Sequence, residues 1–277
     1  MIEYEKIRGI YFSPTGTTEK IVKSIAGELF EQAQQGICIH EIEYFNFTPY
    51  KSRLENRVFS TKEILIIGVP VYAGRVPNIL LNYLKTLKGE DTLAVPIVVY
   101  GNRNYDDALI ELRDILINNG FLVIAGGAFI GEHSFSTRLA KGRPDEIDLR
   151  EARDFAAKIY EKLVGDKNEY NICVKGERPI RPYYMPKNEL GQSVDLRPVK
   201  PKTNDRCIGC KLCVEVCPMD SIDSEDVRLV KGICIKCGAC IKKCPREAKY
   251  YDDIDYLRHK EELEEEFSER KEIELFY

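Results

Sequence analysis

Eight of the ten cysteines in this 277-residue chain fall between Cys207 and Cys244, and they repeat one pattern. Cys207, Cys210, Cys213 and Cys217 precede Pro218. Cys234, Cys237, Cys240 and Cys244 precede Pro245, so C-x2-C-x2-C-x3-C-P occurs twice at an offset of 27 residues. The repetition predicts two pseudo-symmetric halves. Three thiolates two residues apart on a tight loop reach three irons of one cubane, and the fourth, beyond the turn, is directed at a neighbouring cluster. The expected ligand sets for two 4Fe-4S clusters are therefore Cys207, Cys210, Cys213 and Cys244 for one, and Cys234, Cys237, Cys240 and Cys217 for the other. Zinc would take four ligands in pairs and gives no reason for two triplets each trailed by a fourth thiol and a proline. With every thiolate committed, no iron keeps an open position for substrate, and the module reads as an electron relay. Cys38, in a predicted strand, and Cys173, at the start of a proline-rich stretch, are expected to be buried, inert thiols.

The remaining composition narrows the class. An apolar fraction of 44% can fill a core, and the length suits about two domains. The 41 Lys and Arg are scattered among 45 Asp and Glu, giving a net charge of −4, so the electropositive footprint that nucleic acid requires is missing. The charged N-terminus runs into a short apolar stretch without a signal-peptide pattern, and no apolar run approaches bilayer length. The expectation is a cytoplasmic protein whose thiols stay reduced and bind metal.

Short β-branched runs alternate with helical patterns through the first part of the chain, which predicts an α/β fold, a five-stranded doubly wound parallel sheet. The predicted strands are Arg8–Phe12, Cys38–Tyr44, Ile64–Val69, Ala94–Tyr100 and Leu122–Phe129, and the predicted helices are Glu19–Phe30, Pro77–Leu87, Asp106–Asn119 and Asp145–Val164. The expected division is a sheet domain over 1–170, a proline-rich linker over 171–202, a small α+β two-cluster domain over 203–251 and an acidic helical tail over 252–277. The linker carries Pro179, Pro182, Pro186, Pro198 and Pro201 and reads as extended chain packed over other surfaces. The tail holds eleven acids against four Lys and Arg, with Tyr256, Leu263 and Phe267 near one helix face. A solvated cap is its plainer reading and a docking site for a basic partner the alternative.

Directly after the first predicted strand come Ser13, Pro14, Thr15, Gly16, Thr17 and Thr18, and Glu19 opens a helix. Backbone N–H groups, the positive helix end and several hydroxyls converge there, which suits one monoester phosphate. The Walker A lysine and the G-x-G-x-x-G of dinucleotide folds are both missing. An N-cap alone would explain such a turn. Its place after the first strand favours the phosphate, because ligands of doubly wound sheets lie beyond the C-terminal strand ends.

This loop, followed by alternating β/α units, resembles the flavodoxin family. The resemblance implies FMN, with its phosphate on Ser13, Thr15, Gly16, Thr17 and Thr18. It places the ring between two loops: Pro70, Val71, Tyr72, Ala73 and Gly74, and Tyr100, Gly101, Asn102, Arg103 and Tyr105. Tyr72 and Tyr105 would offer aromatic faces, Gly74 and Gly101 a close backbone approach, and Gly74 a peptide free to flip toward the ring. The chain departs from many flavodoxins in lacking tryptophan and in carrying Arg75 and Arg103 in the ring loops, where cations would raise the flavin potential. His133, in the stretch Gly131–Ser136, is expected to be a solvent-exposed loop histidine, with a place beside the cofactor as the alternative.

The cysteine module resembles bacterial two-cluster ferredoxins, and the chain as a whole is similar to flavodoxin–ferredoxin fusion proteins of anaerobic microbes. That resemblance implies an electron-transfer protein relaying electrons between two 4Fe-4S clusters and FMN, coupling one-electron and two-electron carriers in anaerobic metabolism. The alternative is an FMN- and iron-sulfur-dependent oxidoreductase, a flavin-dependent reductase of a small molecule fed by the clusters, with His133, Arg75 and Arg103 as substrate-binding candidates. No residue stands out as catalytic. Redox proteins are the expected partners, with neither nucleic acid nor membrane, and homodimer formation stays open.

Overall fold

A computed structural model describes residues 4–34, 36, 39–165 and 169–277. The elements are β1 (Lys6–Tyr11), α1 (Thr17–Ala33), β2 (Glu41–Asn46), β3 (Val58–Phe59), β4 (Glu63–Pro70), α2 (Asn78–Leu84), β5 (Lys88–Gly89), β6 (Thr92–Tyr100), α3 (Ala108–Asn118), β7 (Phe121–Val123), β8 (Gly126–Ile130), α4 (Glu146–Val164), β9 (Lys202–Thr203), α5 (Leu212–Glu215), α6 (Ala239–Lys242), β10 (Lys249–Tyr250), α7 (Ile254–Glu266) and β11 (Glu274–Phe276). The main sheet runs β2, β1, β4, β6, β8, all parallel, which is the 2-1-3-4-5 order of flavodoxin-like doubly wound sheets.

Alternation along β4 shows why helices cover both faces. Ile64 and Ile66 pack with Ile21, Ile25, Phe155 and Ile159 of α1 and α4, while Leu65 and Ile67 pack with Leu80, Leu84, Leu109 and Leu112 of α2 and α3. All twelve of these side chains are fully buried. Each contributes about 1.5–3 kcal/mol of hydrophobic stabilisation, so neither face can be left to solvent.

The expected strand Leu122–Phe129 is divided. β7 pairs with Thr92 to Ala94 and β8 with Ile97 to Tyr100, and the gap falls opposite Val95 and Pro96. Pro96 has no N–H to give the ladder, so the partner strand breaks there. Strand β2 begins at Glu41; Cys38, expected in that strand, lies outside the described residues. Cys173 is exposed rather than buried.

The tail is not the solvated helical cap expected of it. Helix α7 buries Tyr256, His259 and Leu263, and β11 pairs antiparallel with β8, occupying the outer edge of the sheet. The proline-rich stretch is tied down by Arg181, which grips the buried Asp107 carboxylate through Nε at 2.8 Å and Nη2 at 2.5 Å. Tyr183 adds a bond from its hydroxyl to the Val76 carbonyl at 2.8 Å. No helix among the described residues is long and apolar enough to cross a membrane.

Candidate functional site

The cysteine repeat is carried into backbone conformation. Positive φ occurs at Gly209, Lys211 and Asp220, and again 27 residues on at Lys236, Gly238 and Glu247. Helices α5 and α6 start at the same offset, at Leu212 and Ala239. The Ser221 amide donates to Cys217 Sγ at 3.4 Å, as the Ala248 amide does to Cys244 Sγ at 3.2 Å. Left-handed residues alternating along a loop turn several N–H groups inward, which suits an anionic centre.

Two cavities result. One is lined by Cys217, Cys234, Cys237 and Cys240, the other by Cys207, Cys210, Cys213 and Cys244. In each, three thiols of one motif meet the last thiol of the other motif, and none is in a disulfide. Burial pushes the Cys237 thiol up to about 12, with Cys234 and Cys217 adding to it, and Cys240 is raised by the same causes. Burial also tends to raise Cys244, but donated amide N–H groups outweigh it and bring that thiol below its ordinary value. Four soft sulfurs around each cavity, with amides directed at Cys217 and Cys244, fit thiolate-ligated iron, whose positive charge compensates the burial that disfavours free thiolates.

A third cavity opens at the C-terminal ends of β1, β4, β6 and β8. The loop after β1 brings in Ser13, Pro14, Thr15, Thr17 and Thr18, the loop after β4 Pro70, Val71 and Tyr72, and the end of β6 Val99, Tyr100 and Gly101. Ser13 Oγ accepts the Glu19 amide at 3.0 Å, and Thr48 Oγ1 holds the Ser13 amide at 2.7 Å. Gly16, the N-cap at φ 92°, turns the chain into α1 and does not itself line the cavity. The first amides of a 17-residue helix have no intrahelical acceptors, so hydroxyls and N–H groups share one anion cradle.

Several residues expected on a ring are elsewhere. Tyr105 is 1% exposed, packs on Tyr100 at 5.6 Å and donates to Glu274 at 2.8 Å. Asn102 Nδ2 donates to the Phe267 and Glu269 carbonyls at 2.6 and 2.7 Å. Arg103 pairs with Asp106, lies over the Tyr184 ring and offers its carbonyl to Lys271. These three residues fasten the returning tail. Arg75 is spent on Glu111, at 2.5 Å and 2.7 Å, so neither arginine is a free cation in the cavity. Ala73 and Gly74 form the tip of a tight turn outside it. The Gly74 carbonyl accepts the Asp107 amide at 3.0 Å, and a methyl there would collide with Asp106, so the expected free peptide is pinned.

The remaining walls come from Gly131, Glu132, His133, Ser134 and Cys237. His133 is half-buried, not solvent-exposed. Burial, then Lys242, His259 and Arg103, push its pKa down to about 3. Its Nδ1 accepts the Phe135 amide at 3.1 Å, which leaves the proton of the neutral ring on Nε2. Of the two readings of the stretch Gly131–Ser136, the structure fits the alternative, with His133 on the cavity wall, and a side chain at Gly131 would strike Thr17 and Val99.

Cys237 lines this cavity and the cavity of Cys217, Cys234 and Cys240. Around it the two parts of the molecule are bolted together. Gly238 lies so close to the Ser134 carbonyl that a Cβ would sit 2.5 Å from it. Lys242 pairs with Glu132 at 3.0 Å, and Arg53 donates to the Pro218 carbonyl at 2.6 Å. Aromatic contacts run from His133 through Phe135 and Tyr256 to Tyr251, whose hydroxyl is 3.5 Å from Cys234 Sγ. The Tyr72 phenol is pushed above its ordinary pKa by burial and then by Cys237 and Cys234.

Residues 200–245 match the family model of the 4Fe-4S dicluster domain. Among solved structures, a flavodoxin from the domain Archaea aligns with TM-score 0.40 at 13% identity, covering 58% of this chain and 99% of its own. The oxidised Flavodoxin 2 from Bacillus cereus gives 0.41 at 18% identity, covering 57% and 99%. A Fusobacterium nucleatum flavodoxin bound to flavin mononucleotide gives 0.38 at 16%, covering 57% and 98%. No curated protein matches in sequence. The chain thus joins a 4Fe-4S dicluster domain to a flavodoxin-like sheet, a pairing that supports an electron-transfer role.

Proposed function

We propose that this chain relays electrons between two 4Fe-4S clusters and one FMN, coupling one-electron to two-electron carriers. The observation that carries this reading is Cys237, which belongs to the wall of the strand-end cavity and to the wall of a four-cysteine cavity. Bound FMN would supply two-electron chemistry that can be divided into single-electron exchanges with iron-sulfur clusters.

The residues of the chain have distinct tasks in this reading. Ser13, Thr15, Thr17, Thr18 and the first amides of α1 hold the phosphate. Tyr72, Tyr100, Gly101 and Gly131 to Ser134, which line the same cavity, would hold the ring. His133, neutral and protonated on Nε2, offers a hydrogen bond without adding a charge. The contact of Gly238 with Ser134 and the Lys242–Glu132 pair exclude water from the side facing the cysteines. A wall made of a cluster-ligand loop favours a carrier over a reductase, which would need that side open to a substrate. Covalent connection makes the transfer intramolecular, with an effective concentration set by the docked geometry.

The test is flash photoreduction of the flavin in anaerobically purified protein, followed by the bleaching of cluster absorbance. The expected rate is independent of protein concentration. A rate proportional to concentration, or clusters that stay oxidised, overturns the relay.

A further inference from the structure

The repeat makes the two cysteine cavities comparable position by position, and the comparison isolates one residue. Three charged side chains line the cavity of Cys207, Cys210, Cys213 and Cys244: Lys211, Arg246 and Lys249. Their repeat equivalents 27 residues away are Gly238, Met219 and Ile222, which line the other cavity, and among the described residues no charged one lines it. Lys211 and Arg246 are exposed, where water screens them. Lys249 is 3% exposed. It is held in place by the β10 pairing of its backbone with Thr203.

The Lys249 ammonium donates to the Val227 carbonyl, and no carboxylate among the described residues lines its cavity. A buried cation without a counter-charge is strongly unfavourable. The groups that share its cavity wall and become anionic on binding iron are the thiols of Cys207, Cys210, Cys213 and Cys244. A 4Fe-4S cluster held by four thiolates is an anion and becomes more negative on reduction, so a nearby fixed cation stabilises the reduced form more than the oxidised one.

We propose that Lys249 is the counter-cation of the cavity of Cys207, Cys210, Cys213 and Cys244 and raises the reduction potential of the cluster held there relative to its neighbour. The proposal rests on the two-cluster reading above. It gives the two chemically alike clusters different potentials through one symmetry-breaking side chain.

Holo-protein of wild type, Lys249→Ile, Lys249→Gln and Lys249→Arg is purified anaerobically, and each cluster is titrated by EPR-monitored reduction. Isoleucine already occupies the equivalent place in the other half, and glutamine can keep the bond to the Val227 carbonyl. At wild-type iron and sulfide content, both neutral variants are expected to lower the one-electron reduction constant of the Cys207-side cluster about tenfold, about 59 mV, and that of its neighbour less. Lys249→Arg should keep both potentials. Assembly of both clusters with arginine but with neither neutral residue supports the same counter-charge. Unchanged potentials in a fully loaded neutral variant, a larger shift on the Cys234 side, or cluster loss in all three variants overturns the role of Lys249. Wild-type protein with iron for fewer than two clusters overturns the two-cluster reading instead.

Discussion

The two cysteine cavities share a ligand pattern, loop conformation and amide-to-sulfur bonds, yet one is docked on the sheet and the other is not. The cavity of Cys217, Cys234, Cys237 and Cys240 is pressed against the sheet, with Gly238 buried under Ser134. At the equivalent loop of the other half, Cys210 is exposed and Ile208 is 64% exposed. A duplicated motif therefore specifies ligation, while single residues at equivalent positions decide which half docks. Gly238 admits a neighbouring backbone where Lys211 would not.

The most damaging test of this symmetry exchanges the outermost ligands. Cys244→Ala is expected to remove the cluster on Cys207, Cys210 and Cys213 and halve the iron, leaving flash-induced transfer from flavin to the remaining cluster. Cys217→Ala should cost the same iron but abolish that transfer, because the lost cluster is the one whose cavity shares Cys237. The reverse pattern would mean that each motif keeps its own fourth cysteine. Both variants should also lower thermal stability, since cluster binding and folding are coupled in a domain this small.

A smaller effect separates the two loops. Gly238 and Gly209 both have positive φ, so alanine costs about 1–2 kcal/mol at either. At Gly209 nothing lies within 4 Å of a new Cβ, whereas at Gly238 the Ser134 carbonyl blocks it. Gly238→Ala should therefore cost about 1–3 kcal/mol more in denaturant unfolding and weaken FMN binding. Equal destabilisation, with flavin affinity untouched in both, would show that the docked interface does not depend on this approach.

What could be read in advance follows the same line. Motifs whose chemistry is local were legible: the spacing of eight cysteines marks a 4Fe-4S dicluster domain, and the loop from Ser13 to Thr18 lines a strand-end cavity as its place after β1 predicts. Periodicity located the helices and the buried strands, and missed the break opposite Pro96, because a missing N–H acts on the neighbouring strand and not on its own. Asn102, Arg103 and Tyr105 look like ring contacts by position after β6. They are diverted by a tail more than 160 residues away in sequence, whose carbonyls hold Asn102, whose Lys271 holds Arg103 and whose Glu274 holds Tyr105. The wall at Glu132, His133 and Cys237 is assembled from two domains, and no single-segment pattern encodes it.

His133 gives the docked side a pH dependence. Its folded pKa lies near 3, below the ordinary 6.5, because burial disfavours the imidazolium. The unfolded chain then binds more protons in that interval, so stability is full above pH 6.5 and declines as pH falls toward 3. The loss should be on the order of 2 kcal/mol in chemical unfolding of the flavin-free protein. In His133→Asn that decline should vanish, and an identical pH profile in the variant would show that the ring is not shielded.

The smallest expected effect lies in the ion pair that crosses the same interface. Burial tends to raise the Glu132 carboxyl, but the Gly142 amide, Lys242 and Lys20 outweigh it and hold it below the ordinary 4.5. A lowered folded pKa means the contribution is complete above pH 4.5 and is lost as the pH drops through the folded value, the acid end of the His133 window. With the carboxylate about one-third exposed, solvent screens the pair, and Glu132→Gln should cost under about 1 kcal/mol. Its signature is ionic strength. Added salt should slow flavin-to-cluster transfer slightly in wild type and leave Glu132→Gln unchanged, because the variant has no pair left to screen. A variant that remained as salt-sensitive as wild type would shift the credit for docking from this pair to the close contact at Gly238 and to Arg53 on the Pro218 carbonyl, neither of which needs a carboxylate.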